Sequence, residues 1–384
     1  MSVPIPLEFI IFALALLGIA LWNQHAMVTA LTGLAAVVAY KLTLTHFALL
    51  PHLRAEAPSL LNLLGLLLGF AILAAQFVES RIADKLPDVL PDDWKGGFVL
   101  LVTIAFISSF LDNIAAALIG GGIASVVYKK RVHIGYLAAI VGASNAGGAA
   151  SPVGDTTTTM IWISGVPGTE LFRGVIGAVV SVAFMGVFAA KQQQAYQPIT
   201  KDAEPGLKID LVRALIVVAM LVGAILANVF WSFPALGVWA AILLGALLRP
   251  TPWRELPAAF KGSVFLLALV IMASLMPVEH LPTASWHAAF GLGFVSAVFD
   301  NIPLTKLAIT QGGYDWALLA FAVGFGGSMI WFGSSAGVAL TSQHPEARSA
   351  VQWVKSGWHV AVAYVLGFFA MLATWGWLPD AHVK

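Results

Sequence analysis

Two aspartate-asparagine pairs are the residues of this chain best placed to do chemistry. Phe110-Leu111-Asp112-Asn113-Ile114-Ala115 returns as Phe299-Asp300-Asn301-Ile302-Pro303, each time with a carboxylate inside an apolar stretch. An aspartate near the middle of a membrane span costs about 2.5 to 3.5 kcal/mol on insertion scales. Two of them in matching places point to a duplicated membrane fold with a charged site between its copies. A carboxylate in low dielectric favours its neutral form, so a proton and a metal cation can compete for it near neutral pH. Asn113 and Asn301 add a neutral oxygen each.

A second set of oxygens comes from segments that cannot stay helical. Ser144-Asn145-Ala146-Gly147-Gly148-Ala149-Ala150-Ser151-Pro152-Val153-Gly154-Asp155 runs into Thr156 to Thr159. Glycine is flexible, and proline removes a donor and clashes with the preceding turn, so a helix entering this stretch should break. A break at membrane depth is tolerated where its carbonyls are buried in protein or line a polar cavity. Carbonyl, hydroxyl and amide oxygens suit a hard cation stripped of water. Gly333-Ser334-Ser335-Ala336-Gly337 offers the same kinds of atom in the second half. The expected site therefore joins Asp112, Asn113, Asp300 and Asn301, where Na⁺ would sit, to a wall of Ser144, Asn145, Ser334 and Ser335.

The elements that must position these groups are membrane helices. Of 384 residues, 59% are hydrophobic and 10% charged, and mean hydropathy is +0.89, far from the roughly 25% charged of an average soluble domain. Apolar runs of about 17 to 25 residues recur from end to end and leave room for no sizeable soluble domain. A net charge of +1 suggests neither nucleic acid nor an anionic surface as partner. Cysteine is absent, which removes disulfides, thiolate metal sites and cysteine nucleophiles. No nucleophile-base constellation or phosphate loop supports an enzyme. The first apolar run, from about Pro6 to Trp22, lacks the basic start of a secretory signal and is expected to be retained.

The expected fold is all-α and polytopic, with two inverted repeats, re-entrant helical hairpins and broken transmembrane helices. Residues 1–190 form the first repeat, with its hairpin at about 97–127 and its broken helix at about 133–165. A polar stretch, 191–209, reads as a cytoplasmic linker. Residues 210–384 form the second repeat, with its hairpin at about 285–312 and its broken helix at about 316–342. Asp112-Asn113 maps to Asp300-Asn301 at an offset of 188, and the Ser144-Asn145 segment maps to Ser334-Ser335 at 190. Five true crossings per half invert the second copy. Lys129, Lys130 and Arg131, the lysines of the linker, and Arg249, Arg254 and Lys261 agree with that inversion if all three loops are cytoplasmic. The first hairpin then opens from the cytoplasm, the second from outside, and both termini fall outside.

Simpler roles stand beside these. Asp112 and Asp300 suit helix N-caps, which does not exclude ion binding. Asp155 precedes Thr156 at a good N-cap position, so capping alone and ion binding both remain open for it. Lys306 has no basic counterpart, its partner at offset 188 being Leu118; it is a counter-ion to Asp300, a competing cation or a snorkelling side chain, the first being favoured. Glu79 and Glu279 sit at span ends and read as interfacial.

Three segments carry a family resemblance: Gly147 to Thr158, Phe299 to Lys306, and Met329-Ile330-Trp331-Phe332-Gly333-Ser334-Ser335-Ala336-Gly337-Val338-Ala339-Leu340. Together they resemble the signature segments of NhaD-type Na⁺/H⁺ antiporters, a group within the larger superfamily that includes arsenite exporters and di- and tricarboxylate carriers. The resemblance spans roughly Phe70 to Met371. It implies a multi-pass protein of the bacterial inner membrane, a homodimer with lipid and small cations as partners, and a mobile transport domain moving as an elevator. It also implies no cofactor, only transported Na⁺ or Li⁺ and H⁺. One departure is Ala115 in the first motif where the second has Pro303. Carboxylate symporters share the superfamily, and in them the hairpin tips resemble a neutral Ser-Asn-Thr. Aspartate in both halves here repels a citrate or succinate anion, so cation/proton antiport is expected, with Na⁺- or H⁺-coupled organic-anion transport as the alternative.

Overall fold

The computed structural model describes residues 6–22, 25–45, 47–200 and 208–379, and among them every regular element is helical. Helices α1 (Leu7–Leu21), α2 (Ala26–Leu44) and α3 (Leu49–Glu79) open the chain. The first hairpin follows as α4 (Trp94–Ser108) and α5 (Asn113–Val127), and the first broken helix as α6 (Ile134–Ala149) and α7 (Thr156–Ile163). After α8 (Val175–Tyr196) come α9 (Leu211–Trp231), α10 (Pro234–Gly245) and α11 (Leu256–Ser274). The second hairpin is α12 (Trp286–Ser296) and α13 (Asn301–Gln311), the second broken helix α14 (Trp316–Gly326) and α15 (Ser335–Gln343), and α16 (Trp358–Trp375) closes the series.

Length separates crossing helices from the rest. Among the described residues six stretches are long and apolar enough to span a bilayer: Ala26–Leu44, Leu49–Glu79, Gly168–Tyr196, Leu211–Trp231, Trp253–Ser274 and Trp358–Trp375. This is a multi-pass integral membrane protein. The hairpin arms are shorter: α4 and α5 have 15 residues each and are about 22 Å long, while α12 and α13 have 11 each. None reaches across a core of roughly 30 Å.

Burial shows which elements form the centre. Every residue from Gly135 to Ala149 in α6 is buried, as is every residue of α14. Both sequences are apolar or small all round, the pattern of a helix enclosed on every side. Around them pack α4, α5, α8, α12, α15 and α16. A second group consists of α1, α2, α3, α9, α10 and α11, and the groups meet where α11 packs on α13 and α3 packs on α7. At one end of that second group Arg213 pairs with Glu79 at 2.8 Å, Arg254 with Glu79 at 2.9 Å and Arg249 with Asp210 at 2.8 Å. The Arg249 hydrogen bond holds the Asp210 carboxyl below the usual carboxylate range. Glu79 thus has an interfacial, structural role.

Helix α3 begins at Leu49 and carries Pro58 inside it, so His52, Arg54 and Glu56 are helical. One boundary differs from expectation. The polar stretch after residue 190 begins as helix, since α8 continues to Tyr196; Lys201, Asp202, Glu204, Pro205 and Gly206 lie outside the described residues.

Candidate functional site

The two aspartate-asparagine pairs occupy hairpin tips of matching backbone geometry. Asp112 caps α5 at φ −53°, ψ 141°, and Asp300 caps α13 at φ −53°, ψ 139°. Helix N-termini carry partial positive charge and favour an anion there. The side chains then diverge. One Asp300 oxygen accepts from the Ile302 amide at 3.0 Å and the other from the Ser335 hydroxyl at 3.2 Å, whereas Asp112 closes no side-chain cap bond.

The breaks set the opposite wall. Asp155 caps the half-helix α7 through the Thr157 amide at 3.2 Å, and Ser334 caps α15 through the Gly337 amide at 3.3 Å. Close approach of backbone fixes the register between the two breaks. A Cβ on Gly147 would stand 1.9 Å from the Ala105 carbonyl oxygen, and one on Gly326 would stand 2.3 Å from that of Gly293. A Cβ on Gly148 would meet the Gly154 oxygen at 2.7 Å and Asp155 Cβ at 3.1 Å; on Gly327 it would meet the Gly333 oxygen and Ser334 Cβ at the same two distances. Glycine is required where backbones touch in this way. The breaks therefore correspond at an offset of 179 (147 to 326), not at the expected 190. Asp155 is the counterpart of Ser334, Thr156 of Ser335, and Asn145 of Gly324. A short run of small residues suggested the other register, but contacts across the break decide it.

That register explains the polar network. Asn113 donates to Asn145 Oδ1 at 2.9 Å, and Asn145 Nδ2 donates to Ser328 Oγ at 2.9 Å and Ser334 Oγ at 3.2 Å. On the other side Asn301 Nδ2 approaches Asp155 Oδ2 at 3.5 Å. Beside it a Cβ on Gly324 would stand 3.3 Å from the same oxygen. A long side chain facing a short one (Asn145 and Ser334) thus alternates with a short one facing a long one (Gly324 and Asp155). The Thr157 hydroxyl is buried beside them, with no hydrogen bond that meets the geometric criteria among the described residues.

Not every expected ligand is available. The Ser144 hydroxyl bonds back to the Val141 carbonyl at 2.9 Å, and Ser108 takes the Ser144 carbonyl at 2.6 Å, so Ser144 holds helices together. Thr156 is buried at the start of α7. Lys306 does not pair with Asp300. Its ammonium lies 2.8 and 3.0 Å from the two carboxylate oxygens of Glu56. Six positions along a helix are about 240° of rotation, which points Lys306 away from the residue capping its own helix. No sequence motif marks Glu56, Ser328 or Gly324: Glu56 lies in an ordinary helical stretch two residues before Pro58, and the other two belong to no repeated phrase.

Asp300 and Ser335 border a cavity of about 220 Å³ with Leu16, Phe265 and Phe332, enough for several waters. Among the described residues no three acidic or histidine side chains cluster as ligands of one ion. A cation here would take most of its oxygens from amides, hydroxyls and carbonyls, with single carboxylates supplying charge.

The profile of the citrate transporter family matches residues 9–326. Among curated proteins, the chain is 30% identical over 312 residues to sodium/proton antiporter 1 of Arabidopsis thaliana, covering 69% of this chain and 52% of that protein. It therefore spans about half the length of that relative. It is 27% identical over 347 residues to the Na⁺/H⁺ antiporter NhaD of Alkalimonas amylolytica, covering 74% of this chain and 69% of that one. A similar match, 26% over 341 residues, is found with NhaD of Halomonas elongata.

Proposed function

We propose that this chain, which belongs to the citrate transporter family, is a secondary-active exchanger of protons for Na⁺ or Li⁺. The observation that carries this reading is the pairing of Lys306 with Glu56, which leaves Asp112, Asp155 and Asp300 with no cationic side chain paired to them among the described residues. Asn301, next to Asp300, brings its amide to 3.5 Å from Asp155 Oδ2, so carboxylates of both halves serve one region. Like charges repel one another there, so a di- or tricarboxylate is disfavoured. A metal cation or a proton relieves the same repulsion. Occupancy by one then excludes the other at Asp112 and Asp300, with Asn113, Asn301, Asn145, Asp155, Thr156, Ser334 and Ser335 as neighbouring oxygens. That exclusion is the minimum chemistry of antiport.

The sodium/proton antiporter relatives support this choice of substrate, and the citrate transporter profile supports the alternative, a cation-coupled organic-anion carrier. The reciprocal packing favours an inverted repeat: α5 of the first half lies on α15 of the second, and α13 of the second lies on α7 of the first. The division into two helix groups favours an elevator, with α4–α8 and α12–α16 moving against α1–α3 and α9–α11, in a homodimer. In proteoliposomes holding a pH gradient, Na⁺ or Li⁺ should dissipate the gradient and citrate should not. Citrate uptake without cation-dependent proton movement would select the alternative.

A further inference from the structure

A half-buried ion pair bridges the contact between the two helix groups. Glu56 belongs to α3 and Lys306 to α13, with side chains 22% and 12% exposed. The pairs of Lys41 with Glu8, Arg213 with Glu79, and Arg173 with Asp315 each stay within a group. The pair borders a small space of about 40 Å³, with Ser59 of α3 and Ser164 just beyond α7 on its walls. By contrast, Asp300, at the head of the same helix as Lys306, borders the larger cavity of about 220 Å³. An 11-residue helix is short and stiff, so displacement of the hairpin tip moves Lys306 with it. The group that carries α13 cannot shift along α3 without separating this pair.

We propose that Glu56 and Lys306 form a latch between the two helix groups: the pair holds the second hairpin against α3 in the conformation described here and opens in each transport cycle. This rests on the reading that one group moves against the other, but not on which ion is carried. Lys306 is then a positioning residue for the hairpin, not a ligand of the cation.

Absence of cysteine makes the test direct. A single cysteine at Ser164→Cys, beside the pair, is labelled with a polar maleimide in purified protein in lipid nanodiscs. In Glu56→Gln the labelling rate should rise at least about fivefold, as expected when the latched population falls. The double reversal Glu56→Lys with Lys306→Glu should return it to within about twofold of the parent, because the pair is re-formed with opposite polarity. Should Glu56→Gln fail to fold with Lys306 left unpaired, Glu56→Gln with Lys306→Met removes both charges and should label as fast. An unchanged rate in the folded charge-neutral variants overturns the latch, as does a double reversal that labels as fast as they do. Labelling reads conformation rather than flux, so failure of Na⁺/H⁺ exchange in the parent leaves this result to stand or fall separately.

Discussion

The first hairpin and break share a backbone plan with the second but not its chemistry. Asp112 and Asp300 have nearly the same dihedrals, and paired glycines meet the same atoms in both breaks. Yet the cap of α7 is a carboxylate where that of α15 is a hydroxyl, and Asn145 occupies the space that Gly324 leaves empty. Close backbone approach tolerates almost no change, whereas side chains that face each other across the breaks can trade length and charge. The two halves keep one frame, and a third carboxylate stands on one side only.

The largest effects should come from removing that asymmetry. Asp300→Asn and Asp155→Ser should each lower Na⁺-driven proton flux in proteoliposomes by at least about 100-fold, consistent with removal of a charged ligand from a buried site. Adding Ser334→Asp to Asp155→Ser moves the carboxylate to the other break; flux should not return, because Asn145 fills the space that Gly324 leaves free beside Asp155. Restoration would mean that the halves are interchangeable. The shared frame is broken instead by Gly147→Ala or Gly326→Ala, which should each destabilise by about 4 kcal/mol or more, read as loss of monodisperse protein. A smaller change is expected from Gly324→Ala: its methyl crowds Asp155 Oδ2 and should raise the KM for Na⁺ about tenfold, or about 1.4 kcal/mol, with folding intact. Of similar size, but read in stability, is Asn145→Ala, which leaves Asn113, Ser328 and Ser334 short of partners and should cost about 1 to 3 kcal/mol in a thermal or denaturant melt.

What the sequence made legible follows from cost. Charges in apolar stretches are expensive, and Gly-Gly or Ser-Pro cannot sit inside a continuous helix, so the hairpin tips and the first break were readable from Asp112, Asp300 and Gly147 to Asp155. Register between the breaks was not, because it depends on the Ala105 and Gly293 carbonyls, which leave no trace in side-chain identity. The Lys306 partner was hidden for another reason. Glu56 is 250 residues away and precedes Pro58, which breaks most helices but is carried inside α3. Ser328 had no repeat partner of its own to mark it.

Competition between a proton and a metal cation for the same carboxylates is tested most directly by adding Na⁺ to purified protein in weakly buffered detergent solution and following released protons. Na⁺ should release protons saturably, citrate should not, and Asp300→Asn should remove most of the signal. Saturable Na⁺ binding that releases no proton, or release unchanged in Asp300→Asn, would contradict it.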